Sequence, residues 1–103
     1  MKPKIETDTW TNGQKQHEIP HINNQRHGLA TWWYDNGQKW TKTHYVNGQL
    51  HGLETGWFSD GSLSWIRKWH QDQLVWEISF PLKEHISEDV EVELFFHETT
   101  ELI

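Results

Sequence analysis

The chain repeats itself every 24 residues, and this periodicity constrains its fold more than any other feature of the sequence. An Asn-Gly or Asp-Gly dipeptide recurs at that interval, beginning at Asn12, Asn36 and Asp60. The other half of the unit keeps the same spacing, because INNQRHGLAT at 22–31 matches VNGQLHGLET at 46–55. Repeats of this length are typical of folds in which one supersecondary unit is stacked against the next.

Asn-Gly and Asp-Gly are the strongest short signals for a two-residue hairpin loop, since both central positions of a type I′ turn require positive φ. We therefore predict structural turns at Asn36-Gly37, Asn47-Gly48 and Asp60-Gly61. The flanking Trp, Tyr, Thr, Val and Ile residues suit a pleated, half-buried strand. The sequence thus predicts an all-β fold, a single-layer antiparallel meander of about three 24-residue β-hairpin repeats.

The end of the repeats divides the chain into two parts. The repeat region, residues 1–80, contains three units, at about 10–33, 34–57 and 58–80. Its last half-unit, HQDQLVWEIS, is degenerate, as terminal repeats often are. Residues 81–103 lie beyond the repeats and are predicted to form an acidic C-terminal capping segment.

The strand register follows from counting outward from the predicted loops. Around Asp60-Gly61, the predicted cross-strand pairs are Phe58 with Leu63, Gly56 with Trp65, Glu54 with Arg67 and Gly52 with Trp69. The same count around Asn36-Gly37 places Trp33 opposite Trp40. Two glycines would then lie under indole rings, and one pair carries opposite charges.

Alternation along these strands sorts the large side chains into two faces. The predicted core face collects Trp32, Tyr34, Tyr45, Phe58, Leu63, Trp65, Trp69, Trp76, Ile78 and Phe80. The second face carries Leu29, Trp33, Trp40, Leu53, Trp57 and Ile66. Because a sheet with aromatic residues on both sides leaves a patch unless something packs on each, Trp33, Trp40, Trp57 and Ile66 are candidate partner-binding residues.

The negative charge of the chain is concentrated at its C-terminal end. The net charge is −6, yet residues 84–103 contain seven acidic residues and no Lys or Arg. Within this stretch, EDVEVELFFH at 88–97 alternates apolar and acidic residues, which predicts a strand that docks on the sheet or pairs with its end. Glu91 and Glu93 would share one side of it, where they could contact a basic surface of a partner.

The repeats resemble a known family. YDNGQKWTKTHYVNGQLHGLETGWF and FSDGSLSWIRKWHQDQLVWEISF are similar to the MORN-variant repeats of proteins labelled YwqK-type antitoxins. These repeats share an aromatic residue, two Asn-Gly or Asp-Gly turns, His-Gly-Leu and a second aromatic residue. The resemblance covers about residues 10–80, and residues 81–103 have no counterpart in it. It implies a single-layer sheet of hairpins used as a binding surface, with an antitoxin-like role.

The sequence offers no constellation for catalysis. It has no Cys, and no Ser lies in a G-x-S-x-G motif, so we expect no enzyme activity and no cofactor. Eight histidines raise the question of a metal site. The predicted pairing brings together only His44 and His51, without a third ligand in a recognised spacing, so we expect no metal.

Composition also narrows the range of partners and locations. The repeat region is nearly neutral, which disfavours nucleic acid and anionic membranes, since both require Lys and Arg. No stretch approaches the ~20 apolar residues of a membrane span, and the N-terminus lacks an apolar signal region. We expect a cytoplasmic protein.

Three functional hypotheses remain. The first is a non-catalytic protein-interaction module, an antitoxin-like protein or inhibitor that binds a protein partner through the second aromatic face and the acidic tail. The second is carbohydrate or small-ligand binding through the row of Trp side chains, because indoles also stack on sugar rings. The third is a structural homo-oligomer, in which the second face or an open sheet edge meets another copy of the chain.

Overall fold

The computed structural model describes residues 2–81, and these form one open antiparallel sheet. Its strands are β1 (Lys4–Thr9), β2 (Lys15–Ile22), β3 (Gln25–Arg26), β4 (Gly28–Trp33), β5 (Lys39–Val46), β6 (Gln49–Trp57), β7 (Leu63–His70) and β8 (Gln73–Ser79). Their order in the sheet is β1-β2-β4-β5-β6-β7-β8, with the short β3 paired to β2. The predicted all-β antiparallel meander is confirmed.

The turns at one end of the sheet have the predicted conformation. Asn47 and Gly48 both have positive φ, 49° and 84°, which is the signature of a type I′ turn. One repeat away on either side, Asn23-Asn24 and Gln71-Asp72 adopt the same conformation without glycine. Asn and Asp tolerate positive φ better than most residues, which explains three of these four positions. The structure offers no equivalent reason for Gln71.

The turns at the opposite end are one residue longer than predicted. At Asn36-Gly37 only the glycine has positive φ, 87°, so the predicted type I′ turn is wrong there. Gly37 N donates to Tyr34 O at 3.1 Å and Tyr34 N donates to Gln38 O at 2.8 Å, which defines a three-residue loop with a glycine bulge. Asn36 favours this loop because its Oδ1 accepts from Gln38 N at 2.9 Å. Asp60-Gly61 repeats the arrangement.

These longer turns also tie each repeat to the next. Asn12 Nδ2 donates to Asp35 O at 2.7 Å, and Asn36 Nδ2 donates to Ser59 O at 2.8 Å. The equivalent residue of the last repeat is Asp60, whose carboxylate has no donor to continue the series. Asp60 instead accepts from the amide and hydroxyl of Ser62, at 2.9 and 2.6 Å. The third unit thus lacks the side-chain donor that would bond to a further repeat, as expected of a terminal repeat.

Away from the turn, the predicted register of β6 with β7 holds. The observed pairs Gly52 with Trp69, Glu54 with Arg67 and Gly56 with Trp65 are those expected from the sequence. Gly56 lies under the indole of Trp65, which a Cβ at this position would overlap. Phe58 does not pair with Leu63, because the bulge makes Leu63 the partner of Trp57.

Cross-strand partners project from the same side of a sheet, so the pairing defines two faces. The network face contains the row Ala30, Thr43, Glu54, Arg67 and Glu77, together with Trp32, Tyr45, Trp65 and Trp69. The lysine face contains the row Thr31, Lys42, Thr55, Ile66 and Ile78, together with Trp33, Lys39, Trp57, Leu53 and Lys68. The most deeply buried side chains, Ala30 and Thr43, lie on the network face.

Three bulges change the predicted membership of the faces. Trp33 pairs with Lys39 rather than Trp40, so the prediction that Trp40 shares a face with Trp33 is wrong. Trp40 lies on the network face instead, where its ring centroid is 5.8 Å from that of Tyr34.

The second bulge shifts the register of β8 by one residue relative to β7. Trp76 therefore pairs with Lys68 and Ile78 with Ile66, which places both on the lysine face rather than on the predicted core face. The third bulge, between β6 and β7, pairs Leu63 with Trp57 and so places Leu63 on the lysine face as well. A slip of a single residue is enough for these changes, because side chains alternate between the faces.

Candidate binding surface

Lysine and tryptophan side chains alternate across the lysine face near the end of the sheet that carries the Asn36-Gly37 turn. Lys15 Nζ lies 5.5 Å from the ring centroid of Trp33, and Lys39 Nζ lies 6.0 Å from that of Trp57. Lys39 is also the cross-strand partner of Trp33. The row thus reads Lys15, Trp33, Lys39, Trp57 and repeats with the 24-residue period. Cation–π attraction favours these lysine positions over the indoles.

Hydrogen bonds between repeats hold the backbone of both tryptophans in place. Trp10 Nε1 donates to Trp33 O at 3.2 Å, and the hydroxyl of Tyr34 donates to Trp57 O at 2.7 Å. Both bonds span the same sequence separation, so they are two copies of one contact. Phe58 occupies the corresponding position in the third unit and has no such donor.

A groove separates the two indoles. Its volume is about 310 Å³, and it is lined by Trp33, Gly37, Gln38, Lys39, Trp57 and Gly61. Because Trp33 and Trp57 lie on β4 and β6, two strands apart, their backbones are separated by roughly 10 Å. Lys39 lies on β5, between the two indoles in the row, so a group that enters the groove would meet its ammonium as well as the rings.

The lysines of this face have few acidic partners within residues 2–81. Lys15 Nζ is 2.8 Å from Glu18 Oε2, and both side chains are about half exposed. The described ion pairs do not include Lys39, Lys42 or Lys68. The lysine face therefore combines half-buried indoles with lysines that have no acidic partner among the described residues.

The network face satisfies its own charges. Glu54 is only 13% exposed, accepts hydrogen bonds from Thr43 Oγ1 at 2.7 Å and Trp69 Nε1 at 2.9 Å, and lies 3.8 Å from Arg67. Arg67 also donates to Glu77 at 2.8 Å and stacks 4.1 Å from the centre of the Trp65 ring.

The edge of the same face also pairs its acidic side chain with neighbouring side chains. Glu6 contacts His17 and His21 through its two oxygens, at 3.2 and 3.0 Å. Glu6, Glu54 and Glu77 are thus occupied by partners on the same face.

The structure brings together only part of the predicted binding set. Trp33 and Trp57 flank one groove, and Ile66 lies on the same face, paired with Thr55 and Ile78. Trp40, on the network face, is not part of this surface. Glu91 and Glu93, like the whole predicted capping segment 81–103 apart from Pro81, lie outside the described residues.

The sequence reasoning missed the lysines. Lys15 and Lys39 are one repeat apart, as are Trp33 and Trp57, so the signal was present in the periodicity. It was hidden because net charge sums both faces of a sheet, and the acids of the network face cancel the lysines of the other.

Histidines and carboxylates form no metal cluster in the part of the chain that the structure describes. His44 Nδ1 lies 3.0 Å from the backbone oxygen of His51, while the His51 ring packs against His70 with centroids 5.1 Å apart. The predicted proximity of His44 to His51 is therefore a side chain to backbone contact. Residues 2–81 also include no helix capable of crossing a membrane.

One carboxyl group at the turns has a perturbed acidity. The Ser62 hydroxyl, and after it the Ser62 amide, hold the pKa of Asp60 below its ordinary value by donating hydrogen bonds to the carboxylate. Asp60 lies at an exposed turn and its partners serve the loop geometry, so this shift reflects a structural role.

The described residues define a class of protein, an open single-layer sheet of β-hairpin repeats with one self-compensated face and one lysine–tryptophan face. Comparison with protein-family models, curated proteins and solved structures gave no match. Membership of the MORN-variant family therefore stays a prediction from the sequence motifs.

Proposed function

We propose that this chain is a non-catalytic protein-binding module that engages a protein partner through its lysine face. The observation that carries the proposal is the groove between Trp33 and Trp57, with Lys39 beside it. Trp is enriched among the residues that dominate binding energy at protein interfaces. The family resemblance adds an antitoxin-like or inhibitory role, in which binding blocks the activity of the partner.

The lysines favour a protein ligand over a sugar. Lys15 and Lys39 each lie over one indole, where a stacked sugar ring would have to displace them. An acidic or mixed protein surface would instead gain from both the rings and the ammonium groups. Carbohydrate binding stays an alternative, and a titration of tryptophan fluorescence with a panel of glycans would reveal it as quenching or a spectral shift.

Affinity capture from a native lysate tests the proposal when matched variants are compared. We expect the full chain to recover a specific protein, and the Trp33→Ala/Trp57→Ala variant to lose it. Trp40→Ala is the matched control, because Trp40 is a 48% exposed tryptophan on the opposite face. A thermal melt followed by circular dichroism verifies that each variant is folded.

Two results would contradict the proposal. One is equal recovery of the same protein by the Trp33→Ala/Trp57→Ala variant, which would place binding elsewhere. The other is the absence of any specific protein with the full chain itself.

Homo-oligomerisation is a second candidate, favoured by the edge strand β8. Leu74 and Val75 are 48% and 54% exposed there, and the outer edge of β8 is unpaired within residues 2–81. Apolar edge strands are prone to pair with another chain. Light scattering would show a dimer or larger species, and Val75→Lys would return it to a monomer if the edge mediates assembly.

A further inference from the structure

The lysine face carries lysines that no acidic side chain of the described residues neutralises. Lys39, Lys42 and Lys68 lie on it without an acidic partner in residues 2–81, and the one acid of its strands that forms an ion pair, Glu18, is bound to Lys15. The acids of the network face are taken by their own neighbours, so they cannot serve these lysines.

The complementary charge is present elsewhere in the same chain. The acidic segment, residues 84–101, contains no Lys or Arg and seven acids, Glu84, Glu88, Asp89, Glu91, Glu93, Glu98 and Glu101. It is the largest block of uncompensated charge in the sequence, and its sign is opposite to that of the lysine face.

The point at which the described chain ends favours this pairing. β8 runs toward the Asp60-Gly61 end of the sheet, where Phe80 N donates to Ser64 O at 2.7 Å. Lys39 and Trp57 lie at the same end, and the strand that carries Lys39 is three strands from β8, or about 15 Å. Since a residue spans up to about 3.5 Å, roughly five residues cover that distance. Twenty-two residues follow Pro81.

We infer that the acidic segment contacts the lysine face in the free protein, with its carboxylates against Lys39, Lys42 and Lys68. Tethering favours this occupant over any acid in solution, because a short linker gives an effective concentration in the millimolar range. The inference goes beyond the proposed function, since it concerns the chain without a partner. The sequence predicted that the segment contacts a basic surface of a partner. The inference here is that it contacts the basic face of its own chain instead.

The contact is electrostatic and exposed to solvent, so salt would release it.

Zero-length cross-linking of the full chain with a carbodiimide tests the inference, because this reagent joins an amine to a carboxylate only when they touch. The monomer band is isolated and its linked peptides are identified by mass spectrometry. We expect links from Lys39, Lys42 or Lys68 to the acidic segment, and their loss at about 1 M salt, where the Debye length is about 3 Å. Lys2 and Lys4 are internal controls at the far edge of the sheet, and we expect no such links from them.

A matched variant adds specificity. Glu91→Gln/Glu93→Gln removes two candidate carboxylates without changing the described strands, and we expect the total yield of links to the lysine face to fall. Links confined to Lys2 and Lys4, or no links to Lys39, Lys42 and Lys68, would overturn the inference. Links to these three lysines found only in a dimer band would overturn it in favour of a second copy. None of these results depends on a partner, so the proposed function would be judged separately.

Discussion

The two faces of the sheet solve the same physical problem in different ways. On the network face, Glu54 is largely shielded from water, Arg67 is half-buried, and both bind neighbours on the same face. On the lysine face, Lys42 and Lys68 have no acidic partner in the described chain, and Trp33 and Trp57 flank an open groove. A single-layer sheet has no second layer to cover either side. From this difference we expect the network face to supply most of the stability of the fold, and we propose the lysine face as the contact surface.

The largest expected effect comes from crowding the network face. Gly56→Ala would drive a Cβ into the Trp65 indole, and we expect a loss of about 3 kcal/mol in the free energy of unfolding, at the upper end of overpacking effects. Leu53→Ala, three residues away on the lysine face and 45% exposed, should cost less than about 1 kcal/mol. Urea unfolding of both variants measures the contrast. Equal losses would remove the distinction between the faces.

A carboxylate from each face gives the next contrast. Glu54→Ala leaves the Thr43 hydroxyl and the Trp69 indole without their acceptor, and we expect a loss of about 2 kcal/mol. Glu18→Ala removes an exposed ion pair with Lys15, which should cost at most about 1 kcal/mol. Thermal and urea unfolding of both variants measure the two losses of stability. A larger loss in Glu18→Ala would contradict the assignment of stability to the network face.

Adjacent basic residues on β7 provide a third comparison. Arg67→Gln removes the stack on Trp65 and the ion pair with Glu77, and we expect a loss of about 1 kcal/mol. Lys68→Gln, the next residue on the opposite face, should change stability by no more than about 0.5 kcal/mol. These variants differ by one position in the chain and by one face of the sheet. Equal melting temperatures would show that Arg67 adds nothing to the fold.

The smallest expected effect lies at the turns, away from both faces. Because the Ser62 hydroxyl lowers the pKa of Asp60, the ionised turn is stabilised above the ordinary pKa of an aspartate and loses that support as the pH falls through the lowered value. Ser62→Ala should raise the pKa of Asp60 toward 3.8. A titration of the carboxyl group by nuclear magnetic resonance measures this shift. An unchanged midpoint in the variant would mean that the hydroxyl does not stabilise the carboxylate.

Much of the fold was predictable because its signals are local. The spacing of the Gly dipeptides and the alternation of strand residues were sufficient for the meander and for the pairing of Glu54 with Arg67. Bulges were not predictable, since the loop at Asn36-Gly37 can hold two or three residues and the choice depends on a side-chain hydrogen bond. That single residue moved Trp40 to the other face.

The candidate site was predictable only in part for a related reason. Trp33 and Trp57 follow from the repeat and from alternation, which both act within one strand. The local charge around these tryptophans depends on which acidic side chains project from the opposite face. That assignment can be made only when the register of all the strands is known. In the net charge of the sequence, the positive charge of Lys42 is cancelled by the negative charge of acids such as Glu54. The two side chains nevertheless project from opposite faces.

The most direct test of the account is the effect of charge reversal on binding of the captured partner. We expect Lys39→Glu/Lys42→Glu, both on the lysine face, to abolish binding in a titration calorimetry experiment. Lys2→Glu/Lys4→Glu makes the same change in net charge at the far edge of the sheet and should leave the affinity within the range that net charge alone explains. Equal losses in the two variants, or full binding by Lys39→Glu/Lys42→Glu, would contradict the claim that the lysine face is the contact surface.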